Sequence, residues 1–256
     1  TTGNSIKDIS KYVFTADEIS PYRQYSHGIY LQEQLRYGPL QLLLGLRQEY
    51  FTDILNKQQS NESRTTQRAL IPRVGAVLTI NKQINVYGTW VKGFEPQSAS
   101  VQSNPNTGAP FAPEQSQLLE VGAKSDWFDH RLSITTALFH LTKNNTLYNA
   151  GDAGNPDLLM QVGEEVSKGV EVDVAGELLP NWSVVVNYAY TDAKITKTAS
   201  GTEKDLGMQR PNTPRHAANI WTKYILRHGP LRNLGIGLGV NANSERYGQV
   251  GKRANT

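Results

Sequence analysis

The stretch Trp182-Ser183-Val184-Val185-Val186-Asn187-Tyr188-Ala189-Tyr190-Thr191 alternates large apolar residues with small or polar ones. Successive side chains of an extended chain point to opposite faces. Trp182, Val184, Val186, Tyr188 and Tyr190 therefore share one oily side, while Ser183, Asn187, Ala189 and Thr191 share a polar one. Outward from this segment the same period recurs about ten times along the chain. Leu40, Leu42, Leu44 and Leu46 alternate with Gln41, Gly45, Arg47 and Glu49. Val170, Val172 and Val174 alternate with Gly169, Glu171 and Asp173. Leu234, Ile236, Leu238 and Val240 alternate with Gly235, Gly237, Gly239 and Asn241. Weaker examples cover residues 28–37, 69–80, 84–94, 115–126, 131–142 and 215–226, and the interruptions (Leu43, Val77, Val185) are few.

Alternation alone also fits a soluble sandwich; the connections decide between the two. Short connectors stand at Tyr37-Gly38-Pro39, Asn81-Lys82-Gln83, Phe128-Asp129-His130, Leu179-Pro180-Asn181 and 227–233, and long polar stretches at 52–68, 95–114, 143–163 and 193–213. Short and long connections take turns, so every long one opens toward the same end. Outer-membrane barrels have this asymmetry, with short periplasmic turns and long extracellular loops. The strands reach the length a tilted strand needs to cross hydrocarbon. Trp127, Phe128, Trp182 and Tyr37 gather beside short turns, where aromatic belts sit. The polar, non-periodic stretch 197–209 reads as a mobile extracellular loop.

Composition excludes other classes. There is no Cys among the 256 residues, hence no disulfide framework and no thiolate site. With 26 basic against 23 acidic residues, scattered evenly, the net charge of +3 is no nucleic-acid footprint. No run of about 18 apolar residues occurs, which rules out a membrane helix but not a barrel strand. The start, Thr1-Thr2-Gly3-Asn4-Ser5, has none of the marks of a signal peptide. His27, His130, His140, His216 and His228 are scattered and make no metal or catalytic spacing. Gly235-Ile236-Gly237-Leu238-Gly239 has the glycine spacing of a dinucleotide loop, but its glycines fall on one face of an alternating strand with no helix after them. A small-residue face leaving room for a plug or a neighbouring backbone is the better reading.

Several segments resemble the TonB-dependent siderophore receptors. They include Pro72-Arg73-Val74-Gly75 leading to Val86-Tyr87-Gly88-Thr89-Trp90 and Phe94-Glu95-Pro96, and Leu119-Glu120-Val121-Gly122-Ala123-Lys124 leading to Ala137-Leu138-Phe139. Val162-Gly163-Glu164 with Ser167-Lys168-Gly169-Val170-Glu171-Val172 is the best match, followed by Asn181-Trp182 and Tyr188-Ala189-Tyr190-Thr191-Asp192-Ala193. Pro211-Asn212-Thr213-Pro214-Arg215-His216, and Gly28-Ile29-Tyr30-Leu31-Gln32-Glu33-Gln34 upstream, fit the same pattern. The matches cover nearly all of residues 28–248 in the family's order.

The resemblance implies an all-β, antiparallel, up-and-down transmembrane barrel in the outer membrane of a Gram-negative bacterium. Residues 1–256 would supply about ten strands of a barrel of about 22. The plug domain and the remaining strands are expected to lie elsewhere, because the chain stops at Ala254-Asn255-Thr256 without an aromatic strand end. It implies transport rather than enzymology. A ferric siderophore would be the transported ligand, with no resident cofactor or protein metal ligands, and the TonB-ExbB-ExbD complex would act through the plug. Outer-membrane lipid is the surrounding partner, and nucleic acid is none. Two alternatives stay open: a complete ten-stranded barrel acting as passive pore or hydrolase, and a soluble β protein that binds carbohydrate or protein. A receptor of this kind must recognise the outer shell of a ferric complex, a task for aromatic faces, Arg and hydrogen-bonding groups at the mouth. The candidates are Tyr22, Arg23 and Tyr25 before the first strand, Phe94 and Phe111 bracketing one loop, and Tyr148 in another.

Outward apolar and inward polar sets give a direct test. Leu42→Arg on the lipid face is expected to cost about 2–4 kcal/mol if near the midplane, whereas Arg47→Gln on the wet side is expected to cost little. Denaturant unfolding of the full-length protein in phospholipid vesicles measures both.

Overall fold

A computed structural model describes residues 21–150, 152–198, 203–249 and 252–253. The start of the chain, part of the 197–209 stretch (199–202) and the last three residues therefore lie outside the described residues. Ten strands form one sheet in sequence order: β1 (Tyr22–Tyr37), β2 (Leu40–Leu55), β3 (Ser63–Thr79), β4 (Ile84–Glu95), β5 (Glu114–Trp127), β6 (Leu132–Asn149), β7 (Leu159–Leu179), β8 (Trp182–Lys197), β9 (His216–Ile225) and β10 (Gly235–Asn243). Each pairs antiparallel with the next. A two-stranded ladder, β11 (Tyr247–Gln249) with β12 (Lys252–Arg253), and a short helix α1 (Ala99–Ser103) complete the described elements. No described helix is long and apolar enough to cross a membrane.

The cross-strand register shows that the alternation forms two continuous rows. Leu44 pairs with Glu33 and Val74, and Leu119 with Trp90 and His140; Val170 pairs with Leu138 and Tyr190. The apolar sets of every strand thus lie on one face, and that face is bare: Ile29 is 76% and Leu238 65% exposed. The opposite face is polar and concave, with a cavity of about 480 Å³ lined by Gln34, Arg73, Tyr87, Glu120 and Lys124 among others. A soluble protein buries its apolar face and wets the polar one; here the arrangement is reversed, as in a barrel wall whose solvent outside is lipid. Tyr37, Trp127, Trp182 and Tyr224 all belong to the apolar row at the short-turn end. The Trp182 indole N–H donates to Thr222 Oγ1 at 2.7 Å, so the ring's polar edge is satisfied beside its apolar body.

Two expectations need correction. The strands run well past the oily segments, so the connections shrink to 56–62, 96–113, 150–158 and 198–215. Where both faces of a strand meet water its side chains are polar on both sides; hydropathy contrast disappears while the backbone ladder continues. Part of the stretch 203–210 is likewise tied down. After a 3₁₀ turn at Glu203–Asp205, Ile195 N–H donates to Met208 at 3.1 Å and Arg210 N–H to Ala193 at 2.9 Å. The ten strands do not close on themselves, as expected of part of a larger barrel: β1 and β10 are the two edges of an open sheet, which speaks against the complete ten-stranded pore or hydrolase.

Arg47 also does more than line a wet wall. Its Nε donates to Glu49 at 2.5 Å, and Glu49, only 8% exposed, accepts from the Ser26 hydroxyl as well. Arg47→Gln therefore leaves a nearly buried carboxylate without its cation, and its cost exceeds the little expected from facing alone.

Several glycines on the concave face are seats for rings. A Cβ at Gly122 would come within 2.7 Å of the Tyr87 ring, and one at Gly239 within 2.7 Å of Trp221. The room left by Gly237 and Gly239 is taken by Trp221, and that beside Gly235 by Lys223. At Gly169 an added carbon would strike the Tyr190 carbonyl and lie 2.9 Å from Phe139. Backbone cannot yield as a side chain can, so Gly169→Val is expected to destabilise by about 1–3 kcal/mol, while Gly38→Ala at the β1–β2 turn costs only the strain of its φ of +55°. Thermal unfolding of the two variants in detergent orders them.

Candidate ligand site at the long-loop end

Above the oily band the polar face carries a charged rim built by strand extensions. Two residues past Leu141 on β6, Lys143 bridges Glu95 at the end of β4, at 3.3 Å, and Glu114 at the start of β5. One strand further, Glu165 of β7 accepts from Arg210 Nε at 3.1 Å and from the Tyr148 hydroxyl at 3.4 Å. Lys143 and Glu165 are direct cross-strand partners, so the two clusters form one continuous band. Aromatic, cationic and acidic groups converge there on one surface.

Beside the band, residues 96–113 fold inward over the concave face as a shelf. Ser98 caps α1, its hydroxyl accepting from Val101 N–H at 3.4 Å. The Asp53 carboxylate, fully buried, accepts from Ala99 N–H at 2.6 Å. Gln67 accepts from Gln97 N–H at 2.7 Å, and Gln102 both accepts from Phe111 N–H at 2.8 Å and donates to its carbonyl at 2.7 Å. On the far side Gln161 holds Ala112 through both backbone groups, and Asn145 donates to the Pro113 carbonyl at 3.0 Å. The shelf is thereby pinned to β2 and β3 on one side and to β6 and β7 on the other. Amides with both ends satisfied, that of Gln67 being buried, hold a loop more firmly than single surface contacts.

The six residues singled out from sequence part company. Tyr148 stands in the charged band, and Tyr22 lies on the concave row beside Gln24, which donates to its hydroxyl. Phe111 is only 9% exposed, its ring covered by the shelf that its backbone helps to pin. Arg23, Tyr25 and Phe94 belong to the outward row, since Arg23 pairs with Ile54, Tyr25 with Thr52 and Phe94 with Gln115. Tyr22, Arg23 and Tyr25 are also part of β1 itself rather than of a segment before it. Lys143 and Arg210 fall in stretches read as loops, and Glu165 falls between such a stretch and the alternation that begins at Gly169, so no facing is assigned to them from sequence. Counting the alternation onward from Leu132, Ile134 and Leu138 puts Lys143 on the inner face.

The polar face elsewhere does structural work. Asp173 accepts from Asn187 Nδ2 at 2.5 Å, and Glu120 from the Tyr87 hydroxyl at 2.8 Å. On the outward row, His216 meets the Tyr188 hydroxyl at 2.9 Å and the Tyr190 ring at a centroid separation of 5.2 Å. These contacts satisfy polar groups across the wall and bring no acid, base and nucleophile together.

Comparison with known proteins agrees with this architecture. The chain is 30% identical over 226 residues to the metal-pseudopaline receptor of Pseudomonas aeruginosa, matching 85% of this chain and 31% of that protein. It is 29% identical to the ferrichrome outer membrane transporter/phage receptor of Escherichia coli, over 89% of this chain and 30% of that protein. It thus spans about a third of the length of these relatives. Among solved structures, the siderophore receptor PiuA from Acinetobacter baumannii superposes with a TM-score of 0.76 at 25% identity, over 91% of this chain and 35% of that one. The alcaligin outer membrane receptor of Bordetella pertussis gives a TM-score of 0.71 at 23% identity, over 88% and 38% of the two chains. Residues 2–256 match the family described as TonB dependent receptor-like, beta-barrel, and the chain belongs to that family.

Proposed function

We propose that this chain is part of the wall of an outer-membrane receptor that takes up ferric siderophores, driven by TonB. The observation that carries the proposal is the open ten-stranded sheet with its apolar face bare and its charged rim on the concave side. Relatives named for pyoverdine, ferrichrome and pseudopaline support the cargo class. In this reading the long-loop end faces outside the cell, and the remaining barrel strands and the plug are supplied by the rest of a longer protein. TonB, energised by ExbB-ExbD, acts on the plug, and the surrounding solvent is outer-membrane lipid. The ferric ion arrives inside its chelator as cargo, so the wall has only to recognise an organic shell. Tyr148 offers a ring and a hydroxyl, and Arg210 and Lys143 offer directed cationic donors for carbonyl or carboxylate oxygens. Tyr22 is the other aromatic singled out from sequence that lies on the concave row.

Uptake of radiolabelled iron by iron-starved cells expressing the full-length protein tests the reading. Accumulation is expected only when a ferric siderophore is supplied and TonB is present. Accumulation that persists in a TonB-deficient strain would leave a passive pore.

Within that assay Tyr148→Ala and Arg210→Ala are each expected to weaken siderophore binding about 10-fold or more, the loss of a charged or aromatic contact. Phe94→Ala, on the outward row, is expected to leave binding unchanged. Equilibrium binding of the ferric complex to purified full-length receptor reads all three.

A further inference from the structure

The connection between β8 and β9 presents two faces. Arg210 turns to the concave side, where it meets Glu165. Gln209, one residue earlier, turns the other way, since it bridges Lys194 on the outward row of β8. At the neighbouring position the outward row of β9 ends on His216, and Ser244 follows Ala242 just beyond β10. These two are tied together: Ser244 N–H donates to the His216 carbonyl at 2.8 Å, and His216 N–H to the Ser244 hydroxyl at 3.0 Å. Between them and Gln209 lies a cavity of about 330 Å³, to which Arg215, Arg246 and Tyr247 also contribute. Gln209, His216 and Ser244 place it on the opposite side of the wall from the rim that carries Lys143 and Tyr148.

Two features of the lining lack a counterpart among the described residues. Gln209 is only 7% exposed, and neither the oxygen nor the nitrogen of its carboxamide has a hydrogen-bond partner there. A buried amide left unpaired costs free energy that a leucine of similar size would not. Arg215 and Arg246, both exposed, take part in none of the ion pairs of the described residues. Other cations of the same region are neutralised, Lys194 by Asp192 at 3.0 Å and Arg210 by Glu165 at 3.1 Å. A free amide and two free guanidinium groups thus share one small cavity.

We propose that this cavity binds an acylamino sugar acid, a single sugar ring that carries both a carboxylate and an N-acyl group. The site is then at the cell surface, which rests on the reading that the long-loop end faces outside. A carboxamide free at both ends is matched by a group that donates and accepts side by side, as a secondary amide does. The guanidinium groups call for an anion, and each can grip a carboxylate through two parallel bonds. Arg215 and Arg246 are exposed and unpaired, so the ligand reaches Gln209 when they swing onto its carboxylate. Thr213, Ser244 and Glu245, also in the lining, offer oxygen acceptors for sugar hydroxyls, and the Tyr247 ring a flat amphipathic surface. The volume stands at the low end of small-ligand pockets, about 300–1,000 Å³, which suits one ring with its substituents.

The test is calorimetric titration of the full-length receptor in detergent with N-acetylneuraminic acid as the probe. N-acetylglucosamine, which lacks the carboxylate, and galacturonic acid, which lacks the amide, are each expected to bind about tenfold or more weakly. Arg215→Gln and Arg246→Gln are each expected to weaken the probe by a similar factor. Gln209→Leu is expected to lose the preference for the probe over galacturonic acid, while its unfolding midpoint without ligand equals or exceeds that of wild type. A lowered midpoint would show the amide already paired in the full-length receptor and overturn the proposal, as would equal binding of the three sugars. N-acetylalanine binding as tightly as the probe would also overturn it, marking a site for a peptide end. Displacement of the probe by polysaccharide shed from the producing cells traces the sugar to the bacterium's own surface, and displacement by a sialylated glycoprotein to an animal cell; displacement by neither overturns the assignment. Iron uptake separates the two readings: TonB-driven uptake without probe binding removes this site alone, while lack of such uptake by wild type removes the receptor reading.

Discussion

Every feature of this wall follows from the need of peptide N–H and C=O groups for partners where no water is present. In hydrocarbon an unpaired backbone group costs several kcal/mol. A strand that crosses it must be bonded on both sides, and the continuous antiparallel register from β1 to β10 meets that demand for all the inner strands. Once the backbone is fixed, facing is fixed with it, because a one-residue slip would turn each leucine into the lumen. Side chains are then selected by the two solvents they meet. The exposed leucines and the concave charged rim are consequences of the ladder, not independent choices.

The ladder also explains how the interior is filled. A closed soluble core packs side chains between layers, but a single curved sheet has only neighbours on its own surface. Rings therefore lie flat over adjacent strands, and glycine is used where a ring must settle on backbone. Tyr87 over Gly122, Phe139 over Gly169 and Trp221 over Gly237 and Gly239 repeat one device across six strands. It stiffens the inner face without a second layer, much as aromatic cover stabilises glycine in other strands.

How much of this was legible depends on contrast between the two sides of a strand. Where one side meets lipid and the other water, as from Leu40 to Arg47, facing and pairing could be read directly. From Gln48 to Leu55 each side mixes polar and apolar residues, with Gln48, Tyr50, Thr52 and Ile54 outward and Glu49, Phe51, Asp53 and Leu55 inward, and the signal fades although the ladder does not. The same loss at Tyr22, Arg23 and Tyr25 made a strand read as a lead-in and hid that two of the three look away from the lumen. The shelf at 96–113 was invisible for a different reason. Its anchors, Asp53, Gln67, Gln102 and Gln161, are ordinary polar residues whose meaning lies in long-range pairing.

That shelf has a thermodynamic consequence for anything captured at this end of the wall. A loop that orders only on contact surrenders conformational freedom at the moment of association, and the complex is weaker by that amount. Residues 96–113 have surrendered theirs on folding, clasped by glutamine and asparagine amides from three strands and by the Asp53 carboxylate from a fourth. A visiting molecule meets a rim already in shape on this side, and the entropy of association is charged mainly to the visitor.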